Sequence, residues 1–211
     1  MAFEKNYTVK LTEDSFHRMD EESDEKFYAI PRFTSHIDCF AMDAVTDLYR
    51  QYLSNNAVIL DLMSSLFSHL PEDVSCQRVV GLGMNARELA NNKQLTETVV
   101  HDLNAEPTLP FDNDEFDAGL LCVSIDYLIH PVTILKEMGR VLKSDTPLII
   151  TYSDRYFETK ATAVWLSLTD EQRGCLIKTF LVEAGCFKNI QMMDCSPEFG
   201  DPLYAIVVRV I

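Results

Sequence analysis

Residues Val79 to Ala86 read VVGLGMNA, an apolar run leading into G-x-G-x-x-A. That spacing is the usual form of a dinucleotide-binding loop, where glycines admit a tight turn and a close backbone approach to pyrophosphate. The same glycines suit any sharp turn between a strand and a helix, with no ligand involved. The surroundings decide between the first strand of a nucleotide-binding unit and an inner strand of another sheet.

Reading outward, QRVVGL (77–82) is one of five short apolar runs. The others are AVILDL (57–62), TETVVH (96–101), FDAGLLCV (116–123) and PLIITY (147–152), with helical segments between them. This alternation predicts an α/β domain with a mostly parallel sheet covered by helices on both faces. Before the first run, Ala41, Val45, Leu48, Tyr49, Tyr52 and Leu53 recur at helical spacing and predict a helix lying on the sheet. Asn85 with Glu88 reads as a capping box, and Pro131 opens a further helix. Thr169 with Gln172 starts another that Gly185 ends. After it, FKNIQMMDC (187–195) and LYAIVVRVI (203–211) are separated only by SPEFGDP, too short for a helical crossover. They are expected to form an antiparallel hairpin at the sheet edge.

The 211 residues fit a single domain over 31–211, preceded by an acidic arm over 1–30. The block DEESDE (Asp20–Glu25) in that arm is expected to stay solvated. Eighteen basic against 33 acidic residues give a net charge of -15, which disfavours nucleic acid as a partner. No apolar run approaches the ~20 residues of a membrane span, and MAFEKNYTVKL is not a secretion signal, so no membrane association is expected. Six cysteines without a C-x-x-C pair point to a reduced, cytoplasmic chain. The five histidines are dispersed, so no metal is expected. No G-x-S-x-G, H-E-x-x-H or phosphate-loop motif is present.

The run from Asp102 to Phe157 carries a second pattern: Asp102, Leu109-Pro110-Phe111, Phe116-Asp117, His130-Pro131, Glu137 and Arg140-Val141-Leu142-Lys143. It resembles the series found in class I S-adenosylmethionine-dependent methyltransferases, type 11 branch, over about Ala57 to Tyr152. The resemblance implies a Rossmann-like seven-stranded sheet with an antiparallel C-terminal hairpin, and S-adenosylmethionine as cofactor. It places the cofactor along Asp61, Met63, Ser64, Gly83, Met84, Asp102, Leu103, Cys122 and Val123. Asp61 would face the methionine ammonium, Asp102 the adenine amino group with Leu103 beside the ring, and Cys122 and Val123 the sulfonium.

Two departures from the family pattern stand out. The first strand is normally followed by a glycine-rich loop, whereas this chain reads DLMSSLF (61–67), with Met63, Ser65 and Phe67 at the glycine positions. A non-glycine residue forced to positive φ costs on the order of 1 to 3 kcal/mol, so the loop must differ in shape. A short helix over Leu66–Leu70, capped by Ser64 or Ser65, is one expected solution. The second departure is Gly83, aligned with the acid that normally grips the ribose hydroxyls. Loss of that contact would weaken binding by roughly 1.5 to 3 kcal/mol.

For a small-molecule acceptor, the expected positions are His36, Asp126, Tyr127 and Arg155. His36 with Asp38 reads either as an acid-base pair or as helix-entry hydrogen bonders. Asp126 and Tyr127 follow the fourth strand, where an acceptor would lie. Arg155 and Tyr156, together with Arg32, are candidates for an acidic acceptor. The catalytic residue stays unnamed, because methyl transfer needs alignment more than a particular side chain. Two other readings remain: a non-catalytic binding module on the same fold, and a nicotinamide-type Rossmann protein in which Asp102 follows Gly83 as the ribose acid. The last would demote AVILDL to an extra strand.

Overall fold

Each apolar run becomes a strand, and the segments between them set the order in which the strands meet. The computed structural model describes residues 9–211. Parallel strands β1 (Val58–Leu62), β2 (Arg78–Gly83), β3 (Glu97–Val100), β4 (Ala118–Cys122) and β5 (Pro147–Tyr152) join β6 (Phe187–Asp194) and β7 (Tyr204–Val210) in one sheet. The order is β3-β2-β1-β4-β5-β7-β6, with β7 antiparallel to both neighbours. The expected hairpin therefore forms, and β7 inserts between β5 and β6. VVGLGMNA is β2 and its turn. The dinucleotide reading fails here, since it needs the glycine loop to follow the first strand of the unit.

The near-continuous apolar strands follow from burial on both faces. Helix α2 (Cys39–Tyr52) turns Ala41, Val45, Leu48 and Tyr49 onto Ile59, Val79, Leu120 and Ile149. On the opposite face, α4 (Pro131–Val141) and α6 (Asp170–Ala184) bury Ile134, Leu135, Ile177 and Leu181 with Leu60, Val80, Leu121 and Ile150. Adjacent residues in each strand thus serve opposite cores, as the two-residue period requires.

Helix ends follow the sequence signals with one change. Thr169 and Gln172 form a reciprocal capping box on α6, and Gly185 closes it at φ 74°. Asn85 caps α3 (Ala86–Asn91) through the N–H groups of Arg87 and Glu88. Glu88 does not return to the cap. Its carboxylate instead accepts from the Arg32 N–H at 2.6 Å and the Ser65 hydroxyl at 2.5 Å.

The acidic block does not stay in solvent. Glu21, Glu22 and Glu25 are exposed, but Asp24, which opens α1 (Asp24–Tyr28), is buried. Its carboxylate accepts from the Arg18 guanidinium at 2.8 and 2.9 Å and from the Asn104 amide at 2.8 Å. The Lys160 ammonium stands 3.3 Å from Asp24 and 3.1 Å from the Asp20 carboxylate. Lys160 has no solvent exposure and also donates to the carbonyls of Asp20 and Glu22. A charge run in sequence says nothing about a cation 136 positions away, and that cation fixes the segment to the body.

Candidate functional site

Winding reverses between β1 and β4, and the crevice at the carboxyl ends of such strands is where open α/β sheets take ligands. A cleft of about 1160 Å³, open mouth included, lies there. Asp61, Met63 and Ser64 reach it from β1, Gly83 and Met84 from β2, Asp102 and Leu103 from β3, and Cys122 and Val123 from β4. Tyr28 lines it from the end of α1, Arg32 and His36 from the segment after that helix, and Tyr127 and Phe157 from the loops after β4 and β5.

The DLMSSLF loop does not form the expected helix over Leu66–Leu70. Ser64 and Ser68 instead donate their hydroxyls to the Asp61 carboxylate, each at 2.6 Å, and the Asn92 amide donates to Ser68 at 2.8 Å. Of the three positions that replace glycine, only Met63 has positive φ, at 56°. The Ser64 N–H donates to the Leu82 carbonyl at 2.8 Å, which lays the loop across the end of β2. A Cβ built on Gly83 would lie 2.1 Å from the Ser64 carbonyl oxygen. Glycine has moved from the loop to the strand beneath it: the close backbone approach is kept, and its allowance now sits at Gly83. An acid at position 83 is sterically incompatible with this loop.

Electrostatics follow burial. Burial pushes the Asp61 carboxyl up to about 6 against the opposing effect of the two serine hydroxyls. It pushes the Cys122 thiol up to about 12, so Cys122 is not a thiolate nucleophile at neutral pH. Burial lowers His36, and it lowers His69 to about 4 with help from His36, so both imidazoles are neutral at pH 7. Asp102 uses Oδ1 to accept from the N–H groups of Asn104 and Ala105, leaving Oδ2 without a hydrogen-bond partner among the described residues. Val123 stands at φ 41°, a conformation disfavoured for a β-branched residue by about 1–3 kcal/mol. The strain falls beside Cys122, in the lining of the cleft.

The acceptor positions separate. His36 and Tyr127 line the cleft, and the Tyr127 hydroxyl accepts from the Phe157 N–H at 2.9 Å. Asp38 caps α2 through the Ala41 N–H, so the helix-entry reading holds for it. Arg155 lies outside the cleft, 59% exposed and 3.7 Å from Asp201. Asp126 also lies outside, buried, with Oδ2 unpartnered among the described residues. Glu88, Asp24, Phe157 and Tyr28 were not singled out in the sequence. Glu88 read as a cap, and the other three are joined to the site only by long-range folding.

Burial pushes Asp126 up to about 7 from an ordinary 3.8, so the native state holds its proton more tightly than the unfolded state. Its contribution to stability therefore falls as pH rises from about 4 to 7. His69 acts oppositely: its lowered value means stability is lost as pH falls from about 6.5 toward 4. The difference between wild type and Asp126→Asn isolates the first effect. The variant is expected to gain stability relative to wild type between pH 4 and 8, read as denaturant midpoints. Parallel pH profiles would exclude the buried titration.

Residues 63–150 match the family model described as Methyltransferase domain, starting just after the first strand. Its fold is that of class I S-adenosylmethionine-dependent methyltransferases. Similar solved structures include a chain from the Haloferax volcanii complex of the Trm112 methyltransferase activator, at 13% identity. That match covers 81% of this chain and 90% of the other, with a TM-score of 0.62. A SAM dependent methyltransferase from Aquifex aeolicus is 14% identical over 81% and 91% of the two chains, at TM-score 0.56. The 4+2 cyclase SpnF is 15% identical over 80% and 81%, at TM-score 0.61. Likeness at these identities establishes the fold and leaves the reaction to the site. No curated protein sequence matches the chain.

The residues present fit the cofactor of this methyltransferase fold at two of its three parts. Asp102 offers a free carboxylate oxygen beside Leu103 for the adenine end, and Asp61 offers a buried carboxylate for an ammonium. The ribose end lacks its acid. Glu88, another acid lining the cleft, is committed to Ser65 and the Arg32 backbone.

Proposed function

We propose that this protein is an S-adenosylmethionine-dependent methyltransferase acting on a small molecule. The observation that carries the reading is that nine residues from four separate strand ends, each expected from the family pattern, converge on one cleft at the winding reversal. The cofactor, when bound, supplies an electrophilic methyl group. The protein's part is alignment and exclusion of water. Asp61 holds the ammonium, Asp102 and Leu103 hold the adenine, and Cys122 and Val123 flank the sulfonium. Tyr127, Phe157 and the neutral His36 form the acceptor side, where His36 can take a proton if the acceptor carries one.

Residues 31–211 form the catalytic domain in this reading, with the acidic segment before it completing the roof of the cleft. All six cysteines are free, which supports a reduced, cytoplasmic setting. The net charge of -15 supports a small-molecule acceptor over nucleic acid.

Calorimetric titration with S-adenosylhomocysteine tests the proposal. Micromolar binding is expected, and Asp102→Ala should weaken it about tenfold or more, as expected for a charge-assisted contact. Binding no tighter than millimolar would discard the enzyme reading. It would favour the non-catalytic module, for which the missing ribose acid at Gly83 is the specific support.

A further inference from the structure

The charges that line the cleft are mostly spoken for. Asp24 is held by Arg18, Lys160 and Asn104, Asp61 by two serine hydroxyls, and Glu88 by Ser65 and a backbone N–H. Arg32 is different. Its guanidinium carbon stands 4.5 Å from the ring centre of Phe27, 5.0 Å from that of Phe157 and 5.7 Å from that of Tyr28. Nη2 donates to the Phe27 carbonyl at 3.2 Å, while Nη1 is buried with no hydrogen-bond partner among the described residues. Its link to Glu88 runs through the backbone N–H, not the guanidinium.

A buried guanidinium N–H without an acceptor is rare and unfavourable, so a native structure that keeps one calls for an explanation. The three rings hold the planar group in place, which lowers the ordering loss when it takes a ligand. A held guanidinium matches the flat, two-oxygen geometry of a carboxylate. The other basic candidates are excluded by their contacts. Arg155 lies outside the cleft beside Asp201, and Arg173 is engaged by Asp170, Tyr156 and the Trp165 carbonyl.

We infer that Arg32 is the carboxylate anchor of the cleft, with Nη1 as the donor left open for the ligand. The inference deepens the methyl-transfer reading, and two sources supply the chemistry: the amino-acid end of the cofactor, or a carboxylate on a flat apolar acceptor seated against Tyr28, Tyr127 and Phe157. Either source places an anion in a cleft whose lining holds no other lysine or arginine among the described residues, so Arg32 fixes where that anion goes.

The test uses the full chain and four probes. S-adenosylhomocysteine carries the amino-acid carboxylate, and 5′-methylthioadenosine shares the nucleoside and thioether but lacks it. Benzoate and benzamide are flat and differ in charge. Arg32→Met keeps an apolar chain among the rings, Arg32→Lys keeps the charge, and thermal unfolding checks that both variants fold. If the cofactor is the source, Arg32→Met weakens S-adenosylhomocysteine about tenfold or more, leaves 5′-methylthioadenosine unchanged, and Arg32→Lys restores part of the loss. If the acceptor is the source, S-adenosylhomocysteine is unchanged, wild type prefers benzoate to benzamide, and Arg32→Met removes that preference. Both results support the anchor. Probe affinities that do not depend on residue 32 overturn it, while wild-type binding of S-adenosylhomocysteine keeps the methyl-transfer reading. Arg32-dependent benzoate binding without any nucleoside binding would keep the anchor and discard the methyl-transfer reading. A wild type that binds none of the four overturns both.

Discussion

Gly83→Ala is expected to lower the unfolding free energy by about 3 kcal/mol or more, a large effect for the addition of one methyl group. The added Cβ would meet the Ser64 carbonyl oxygen at 2.1 Å, and that atom is backbone, so no rotamer change relieves the clash. Either the loop lifts off β2, breaking the Ser64 N–H to Leu82 bond, or the strand end shifts. A lifted loop also withdraws the Ser64 hydroxyl from buried Asp61. Denaturant unfolding measures the first consequence. A shift in the pH midpoint of Asp61, followed through its carboxyl resonance, reports the second. Stability within about 0.5 kcal/mol of wild type would show that the loop is not seated on Gly83. Gly83→Asp, which would restore the family's ribose acid on paper, should be at least as destabilising for the same reason.

Lys160→Ala should cost about 3–5 kcal/mol, the range found when one member of a buried ion pair is removed and its partner is left behind. Lys160 has no exposure and Asp24 is 6% exposed, so solvent does little to screen their interaction. The ammonium also satisfies two backbone carbonyls, Asp20 and Glu22, which would lose their donor. The expected signature is local as well as global. Protease cleavage between about Arg18 and Arg32 should accelerate more than the change in global stability accounts for, because the clasp holds this segment. Asp24 keeps Arg18 and Asn104 as partners after the substitution, so some of the loss is offset and the low end of the range is the safer figure. Cleavage unchanged at these residues would place the energy of the contact elsewhere.

The fold was legible because its signals are local. Apolar runs such as VILDL and PLIITY sit where two-sided burial demands them, and the seven residues of SPEFGDP left no room for anything but a hairpin. Caps at Asn85 and Thr169 read correctly for the same reason, since their partners lie within one turn. The site was legible to the extent that strand ends define it. What escaped depends on meetings between distant segments. The missing glycines of DLMSSLF looked like a loop problem, whereas the accommodation was made 19 residues away, at Gly83. DEESDE looked solvated because its cation, Lys160, comes from the loop after β5, far away in sequence. Asp126 and Arg155 follow the right strands, but the paths of their loops carry both side chains out of the cleft.

The clasp around Asp24 bears on where the chain can be cut. Asn104 donates to Asp24 and to the Tyr127 carbonyl, and accepts from the Ile129 N–H, so one side chain stitches the N-terminal segment to the loops after β3 and β4. A recombinant fragment beginning at residue 31 would look like a complete α/β unit on a secondary-structure diagram. It would nonetheless leave Lys160 buried without its carboxylates and strip Tyr28 from the wall of the cleft. Cloning boundaries for binding assays or crystallisation belong upstream of Arg18.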